Sequence, residues 1–187
     1  QDRDLFLLKE TIKTKLNLEM AATEEMLQIA KKVRPNYVTL VPEKREEVTT
    51  EGGLDINADK EFYSKYVEDL KNSSILVSAF IDPDFSQIQS SQEVGCEIIE
   101  LHTGSYAVSK DQEQKKELMR IREATFFASD QNLIVNAGHG LTFQNVEKIA
   151  SINNINELNI GHSIVSRALA IGLENSVREM KTLISKN

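Results

Sequence analysis

Five residues stand out for the chemistry their types and positions allow: Glu19, Glu100, His102, His139 and His162. Each lies within or just after a short aliphatic run. Glutamate and histidine exchange protons near neutral pH, and their surroundings tune them readily. Glu19 stands between Leu18 and Met20, and Glu100 between Ile99 and Leu101. A carboxylate in an apolar strand is costly unless it is paired or faces a solvated cavity. Each is therefore either a functional group or half of an internal salt bridge. All 3 histidines of the chain are expected directly after strands, along one rim. A histidine there also serves as a solvated or helix-capping residue, and that alternative stays open for His162. His139, held between Gly138 and Gly140, is read as catalytic.

The glycines suggest a second activity. Gly138 and Gly140 are expected to open one helix and Gly161 the next. Glycine lets backbone approach an anion, and free amides at a helix start attract phosphate. The plainer alternative is that these glycines only make tight turns.

Other chemistries are disfavoured. There is no His-x-x-x-His, cysteine cluster or acidic calcium loop, so no metal site is expected. There is no Gly-x-Ser-x-Gly elbow. Lys and Arg number 22 against 29 Asp and Glu, a formal charge of -7, which argues against a nucleic-acid partner. No apolar run suits a membrane span. A single cysteine, Cys96, rules out an internal disulfide framework, and with the composition it points to the cytoplasm.

Elements must position these groups, and the chain supplies them by alternation. A helix is expected over Asp4–Lys15. Strands follow at Asn17–Met20, Tyr37–Val41, Ile75–Ile81, Cys96–Leu101, Leu133–Asn136 and Glu157–Ile160. Helices are expected between them, the first capped by Thr23, with further ones over Ala58–Lys71, from the turn Asp82-Pro83-Asp84 to near Gly95, and over Asp111–Ser129 and Thr142–Ile152. Two more close the chain, one from near Ser163 and one over Leu173–Ser185. Loops are expected from Pro42 to Asn57, the mixed-charge part of which is a candidate lid, and from His102 to Lys110. The strands are continuous apolar runs, as in a parallel sheet covered on both faces.

Two architectures fit, an open doubly wound sheet or a barrel. The open sheet predicts a Gly-rich dinucleotide turn near the first strand, and none is present. A barrel of eight units has about 250 residues, so 187 residues hold about six. The first helix has no strand before it. Residues 1–187 are thus expected to be a single (β/α)8 TIM-barrel domain, supplying its last six βα units plus the preceding helix. The first strand, first helix and second strand are not in the sequence. In that fold, catalytic groups sit at the C-terminal ends of strands, and phosphate sites often form after strands seven and eight.

Several segments carry a likeness to a known family. They are Asn17-Leu18-Glu19-Met20-Ala21 and Val41-Pro42-Glu43-Lys44-Arg45, then Val48-Thr49-Thr50-Glu51-Gly52-Gly53-Leu54-Asp55 and Glu100-Leu101-His102-Thr103-Gly104. Val135-Asn136-Ala137-Gly138-His139-Gly140 and Glu157-Leu158-Asn159-Ile160-Gly161-His162 complete the set. In this order they resemble the pyridoxine 5′-phosphate synthases of vitamin B6 biosynthesis. The resemblance implies condensation of 3-amino-2-oxopropyl phosphate with 1-deoxy-D-xylulose 5-phosphate to pyridoxine 5′-phosphate, inorganic phosphate and water. It implies acid–base catalysis without cofactor or metal, in a homo-octamer. It further implies Glu19 as general base, His139 as general acid and Glu100 as stabiliser of transition-state charge. Thr49 would contact the deoxyxylulose phosphate, and Gly140, Gly161 and His162 would cradle phosphate. The family's Asn-x-Asp-His and His-x-Arg motifs, on strands before the first one here, have no counterpart in these residues. A molecule truly lacking them is expected to be inactive. Two other readings stay open: another phosphosugar isomerase or aldolase on the same barrel, and an incomplete barrel that only binds phosphate metabolites.

Overall fold

The computed structural model describes residues 1–43 and 52–185. Among them, helix α1 (Asp2–Thr11) leads into β1 (Asn17–Met20), α2 (Glu24–Val33), β2 (Tyr37–Leu40), a 3-10 turn (Ile56–Ala58) and α3 (Lys60–Lys71). Then come β3 (Leu76–Ile81), α4 (Phe85–Glu93), β4 (Ile98–His102), α5 (Gly104–Val108) and α6 (Asp111–Asp130). The chain continues through β5 (Ile134–Gly138), α7 (Val146–Ala150), β6 (Ile155–Asn159), α8 (His162–Ile171) and α9 (Leu173–Ile184).

Local chemistry sets the helix starts. Thr23 accepts from the Met26 amide, as its place before an acidic first turn predicts. Asp59 caps α3 through the Phe62 amide, and Asp84 caps α4 through the Ser86 and Gln87 amides. Three expectations differ from what is found. α1 spans Asp2–Thr11 rather than Asp4–Lys15 and buries no residue. The stretch after β4 contains a short helix, α5, where only a loop was expected. α7 has 5 residues and starts at Val146, not near Thr142.

The six strands of the described residues form one parallel sheet in the order β1-β2-β3-β4-β5-β6. Each strand neighbours the next in sequence. A doubly wound sheet would reverse its order at a switch point; this order is that of a barrel arc. The arc is strongly curled, because the Tyr37 hydroxyl on β2 reaches the Glu157 carboxylate on β6, across three intervening strands.

Alternation along each strand separates two chemistries. Leu18, Met20, Val38, Leu40, Val77, Ala79, Ile81, Ile99, Leu101, Val135 and Ala137 join the hydrophobic core under the helices, meeting Leu27, Ala30, Val67, Leu70 and Ile121. The intervening positions include Asn17, Glu19, Tyr37, Thr39, Ser78, Phe80, Glu100, His102, Asn136 and Glu157. They face the concave side, where Thr39 donates to Asn17 and Tyr37 to Glu157, while Asn156 of β6 donates to Asn136. One register shift would exchange the two sets, so the apolar face fixes where every polar group points.

Candidate active site

The rim after the strands is built around β4. Glu100 and His102 are two residues apart, so both point inward. Glu100 is only 4% exposed, and its partner is an amide, Asn159 on β6, not a cation. Burial pushes its carboxyl up to about 7, the Asn159 hydrogen bond opposes this, and the charges of Glu19 and Glu157 add to it. Glu100 can therefore hold or release a proton near neutrality. Its carboxylate fits because β5 ends in a glycine, two residues beyond its register partner Asn136: a Cβ on Gly138 would lie 2.2 Å from Glu100 Oε1.

His102 is the last residue of β4 rather than a loop residue after it, and it is buried. Its Nδ1 lies 3.0 Å from Oδ1 of Asp82, which follows β3. The same Asp82 oxygen accepts the Gly53 amide at 3.2 Å. The hydrogen bond with His102 is the main cause holding the Asp82 carboxyl below its ordinary value. The His102 ring meets the His139 ring edge-on, with centroids 4.8 Å apart, and Phe80 meets His102 edge-on and His139 at a tilt.

His139 has φ 78°, a left-handed conformation uncommon for a side-chain-bearing residue. Thr103 holds it there. The Thr103 hydroxyl points to the carbonyls of Gly138 (2.8 Å) and His139 (2.6 Å), and its amide bonds Gly138 again. Strain of this kind persists where neighbours over-determine it, and it gathers at functional positions. Gly140 also has positive φ, and a Cβ on it would meet Ala107 of α5 at 2.7 Å. The expectation that Gly138 and Gly140 open a helix is corrected: Gly138 ends β5, and the chain turns for several residues before α7. Packing leaves no room for a Cβ at either glycine, and the positive φ of Gly140 adds a conformational reason.

Gly161 is different. It precedes the 10-residue α8, has no heavy atom within 4 Å of an added Cβ, and is exposed. The first amides of such a helix have no acceptor of their own within it. His162 is the first residue of α8 rather than a cap before it.

A cavity of ≈ 1490 Å³ opens on this rim, lined by Glu19, Glu100, His139, Gly140, Gly161 and His162 together with other residues. The structure thus brings together six of the seven expected site residues. The seventh, Thr49, and the expected lid around it lie outside the described residues. Sequence reasoning missed Asp82, Thr103, Phe80 and Arg167. Asp82 follows a strand directly, so the rule that selected the histidines would have found it; ahead of Pro83 it reads only as a turn. Arg167 lines the cavity and pairs with Glu179 of α9. Among the described residues, no three His, Cys, Asp or Glu side chains are grouped to hold a metal ion. No helix among them is long and apolar enough to cross a membrane.

Such a cavity could shuttle protons and hold an anion. Comparison with known proteins narrows this. The family profile described as "Pyridoxal phosphate biosynthesis protein PdxJ" matches residues 1–186. The chain belongs to the PdxJ family. Two curated relatives share the name pyridoxine 5′-phosphate synthase. One, from Prochlorococcus marinus (strain MIT 9312), is 70% identical over 187 residues, which is 100% of this chain and 79% of that protein. The other, from Synechococcus sp. (strain CC9311), is 55% identical over 184 residues, 98% of this chain and 74% of that protein. Among solved structures, KGPDC from Streptococcus mutans superposes with TM-score 0.69 at 11% identity, covering 99% of this chain and 78% of its own. The Amycolatopsis orientalis BexX/CysO complex gives 0.63 at 14% identity, covering 96% and 70%. At such identity these structures speak to the fold alone, and they agree with a parallel β/α barrel arc for this PdxJ member.

Proposed function

We propose that the protein is a pyridoxine 5′-phosphate synthase, joining 3-amino-2-oxopropyl phosphate and 1-deoxy-D-xylulose 5-phosphate into pyridoxine 5′-phosphate, with release of phosphate and water. The observation that carries the reading is the match of PdxJ family character over residues 1–186 to a cavity where Glu19, Glu100 and His139 converge. Amine–ketone condensation, elimination and ring closure each move protons, which suits two carboxylates and an imidazole.

In this reading Glu19, exposed to the cavity, is the general base. His139 is the general acid, its position supported by the Thr103 bonds. Glu100, whose carboxyl is pushed up to about 7, stabilises charge that develops in the transition states. Gly140, Gly161 and His162 cradle a substrate phosphate, which the open backbone of Gly161 before α8 favours most directly. Thr49 contacts the deoxyxylulose phosphate. The strands β1–β6 are proposed to be the third to eighth of a (β/α)8 barrel, supported by their sequential parallel order and by the barrel-like structural neighbours. A homo-octameric, cytoplasmic enzyme without metal or cofactor completes the proposal.

The test is steady-state formation of pyridoxine 5′-phosphate by the intact protein. Glu19→Gln and His139→Asn are each expected to cut turnover about 10²-fold or more while leaving the fold intact. Near-normal rates in both would remove the assignment of base and acid. Absence of any product from the wild type with these two substrates would remove the reaction itself and favour another phosphosugar enzyme.

A further inference from the structure

His102 holds a nitrogen that has no role in the proposed acid–base chemistry. Nε2 is buried and has no hydrogen-bond partner among the described residues, an expensive arrangement for a polar atom. The ring is 5% exposed, packed between Phe80 and His139. Its other nitrogen is committed. Asp82 is an ionised carboxylate, which only accepts, so Nδ1 carries the hydrogen of that bond. In the neutral ring Nε2 is then a bare lone pair. The edge that carries it is kept clear by a missing side chain: a Cβ on Gly104 would lie 2.6 Å from His102 Nε2 and 3.2 Å from His139 Cδ2. The lone-pair edge of one imidazole and the carbon edge of the other therefore converge on the same small notch.

We infer that Asp82 and His102 are positioning residues for His139: Asp82 locks His102 in the Nδ1–H tautomer, so that a partially negative edge faces the catalytic ring. The inference rests on the reading of His139 as general acid. A bare lone pair on a buried ring beside it favours the form that carries the proton to be donated, because His102 itself is shielded from water. The reverse tautomer would turn an N–H toward the notch and disfavour the same form. Gly53 contributes by donating its amide to the same Asp82 oxygen, which fixes the carboxylate in place. The other titratable and charged groups on this rim are Glu100 on β4, Glu19 on β1, and His162 and Arg167 on α8; Arg120 of α6 acts on Asp82 from behind. Neither Asp82 nor His102 need touch substrate for this role.

Nitrogen NMR of the intact wild-type protein reads the tautomer directly. His102 is expected to be protonated at Nδ1 and bare at Nε2 at neutral pH; the opposite tautomer overturns the inference. Asp82→Asn then separates electrostatics from packing, since the amide can donate to Nδ1 and reverse the tautomer while the ring stays in place. The expected result is a reversed tautomer with kcat lowered about tenfold or more and KM changed less than about twofold. A reversed tautomer with unchanged kcat overturns it. His139→Asn is measured alongside. Loss of turnover there without loss in Asp82→Asn rejects the positioning role and leaves the proposed function standing. Loss in neither rejects the role given to His139 itself.

Discussion

The Tyr37 hydroxyl on β2 donates to the Glu157 carboxylate on β6, tying together two strands with three others between them. This bond spans the hollow of the arc, and it joins a buried phenol to a half-buried acid. Tyr37→Phe is expected to lower unfolding free energy by about 1–2 kcal/mol, the scale for losing a hydrogen bond to a charged group. Urea titrations of Tyr37→Phe, Glu157→Gln and the double variant measure the coupling. Strict additivity of the two single changes would mean the contact contributes nothing.

Glu100 gives the fold a pH dependence whose sign is fixed. Its carboxyl is raised from 4.5 to about 7 in the folded protein, so the native state holds its proton longer than the unfolded chain does. The contribution of the protonated group is complete below about pH 4.5 and is lost as the pH rises through about 7. Glu100→Gln, which cannot ionise, is expected to gain stability over wild type by on the order of 2–3 kcal/mol between about pH 4.5 and pH 8. Denaturant melts at the two pH values test it, and an equal difference at both would contradict the assigned shift. Turnover of this variant is expected to fall, because the charge that costs stability is the one used in catalysis.

Two glycines near the site predict opposite behaviour. Gly138→Ala places a Cβ 2.2 Å from Glu100 Oε1 and 3.0 Å from the Asn159 carbonyl, and should cost about 1–3 kcal/mol together with most of the activity. Gly161→Ala meets nothing within 4 Å at a negative φ, so stability should change by less than about 0.5 kcal/mol. Thermal melts separate the two. A raised KM in Gly161→Ala with normal melting would locate a phosphate at that turn, and an unchanged KM would not.

Thr103→Val keeps shape but removes the hydroxyl that holds Gly138 and His139. The left-handed backbone at His139 then loses support, and kcat is expected to fall about tenfold with little change in KM. Thr103→Ser restores the hydroxyl and should restore the rate. Equal loss in both variants would point to the methyl group instead.

Cys96 should be chemically silent in the folded protein. Its thiol is buried and pushed up to about 12, so almost no thiolate exists at neutral pH. Labelling by a disulfide reagent is expected only at the rate of unfolding, and rapid native-state labelling would contradict the burial.

Much of this was legible in the sequence, for identifiable reasons. Leu18 and Met20 flank Glu19, and Ile99 and Leu101 flank Glu100. That setting already marked the two carboxylates as functional or paired, and the structure turns their aliphatic neighbours into the core and the carboxylates to the concave face. The six-strand alternation and most helix limits followed from periodicity and caps such as Thr23. α5 escaped because 5 residues, Gly104–Val108, are too few to show a helical period. Partnerships escaped for another reason. Asp82 and His102 are 20 residues apart and Glu100 and Asn159 are 59 apart, so nothing local marks them as neighbours. The residue types on the rim could be read, but the pairing that orients them could not.

Gly53, Gly104 and Gly138 each occupy a place where a Cβ would fall 2.2–2.6 Å from Asp82, His102 or Glu100. Part of this rim is therefore specified by the absence of atoms. The order in which substitutions can arrive follows from that. At Gly104 and Gly138 the larger residue can enter only after the facing side chain has shrunk or turned away; at Gly53, where the obstacle is backbone, it must wait for β3 itself to move. A lineage that abandoned this chemistry would be expected to lose the polar side chains first and fill the glycine notches second.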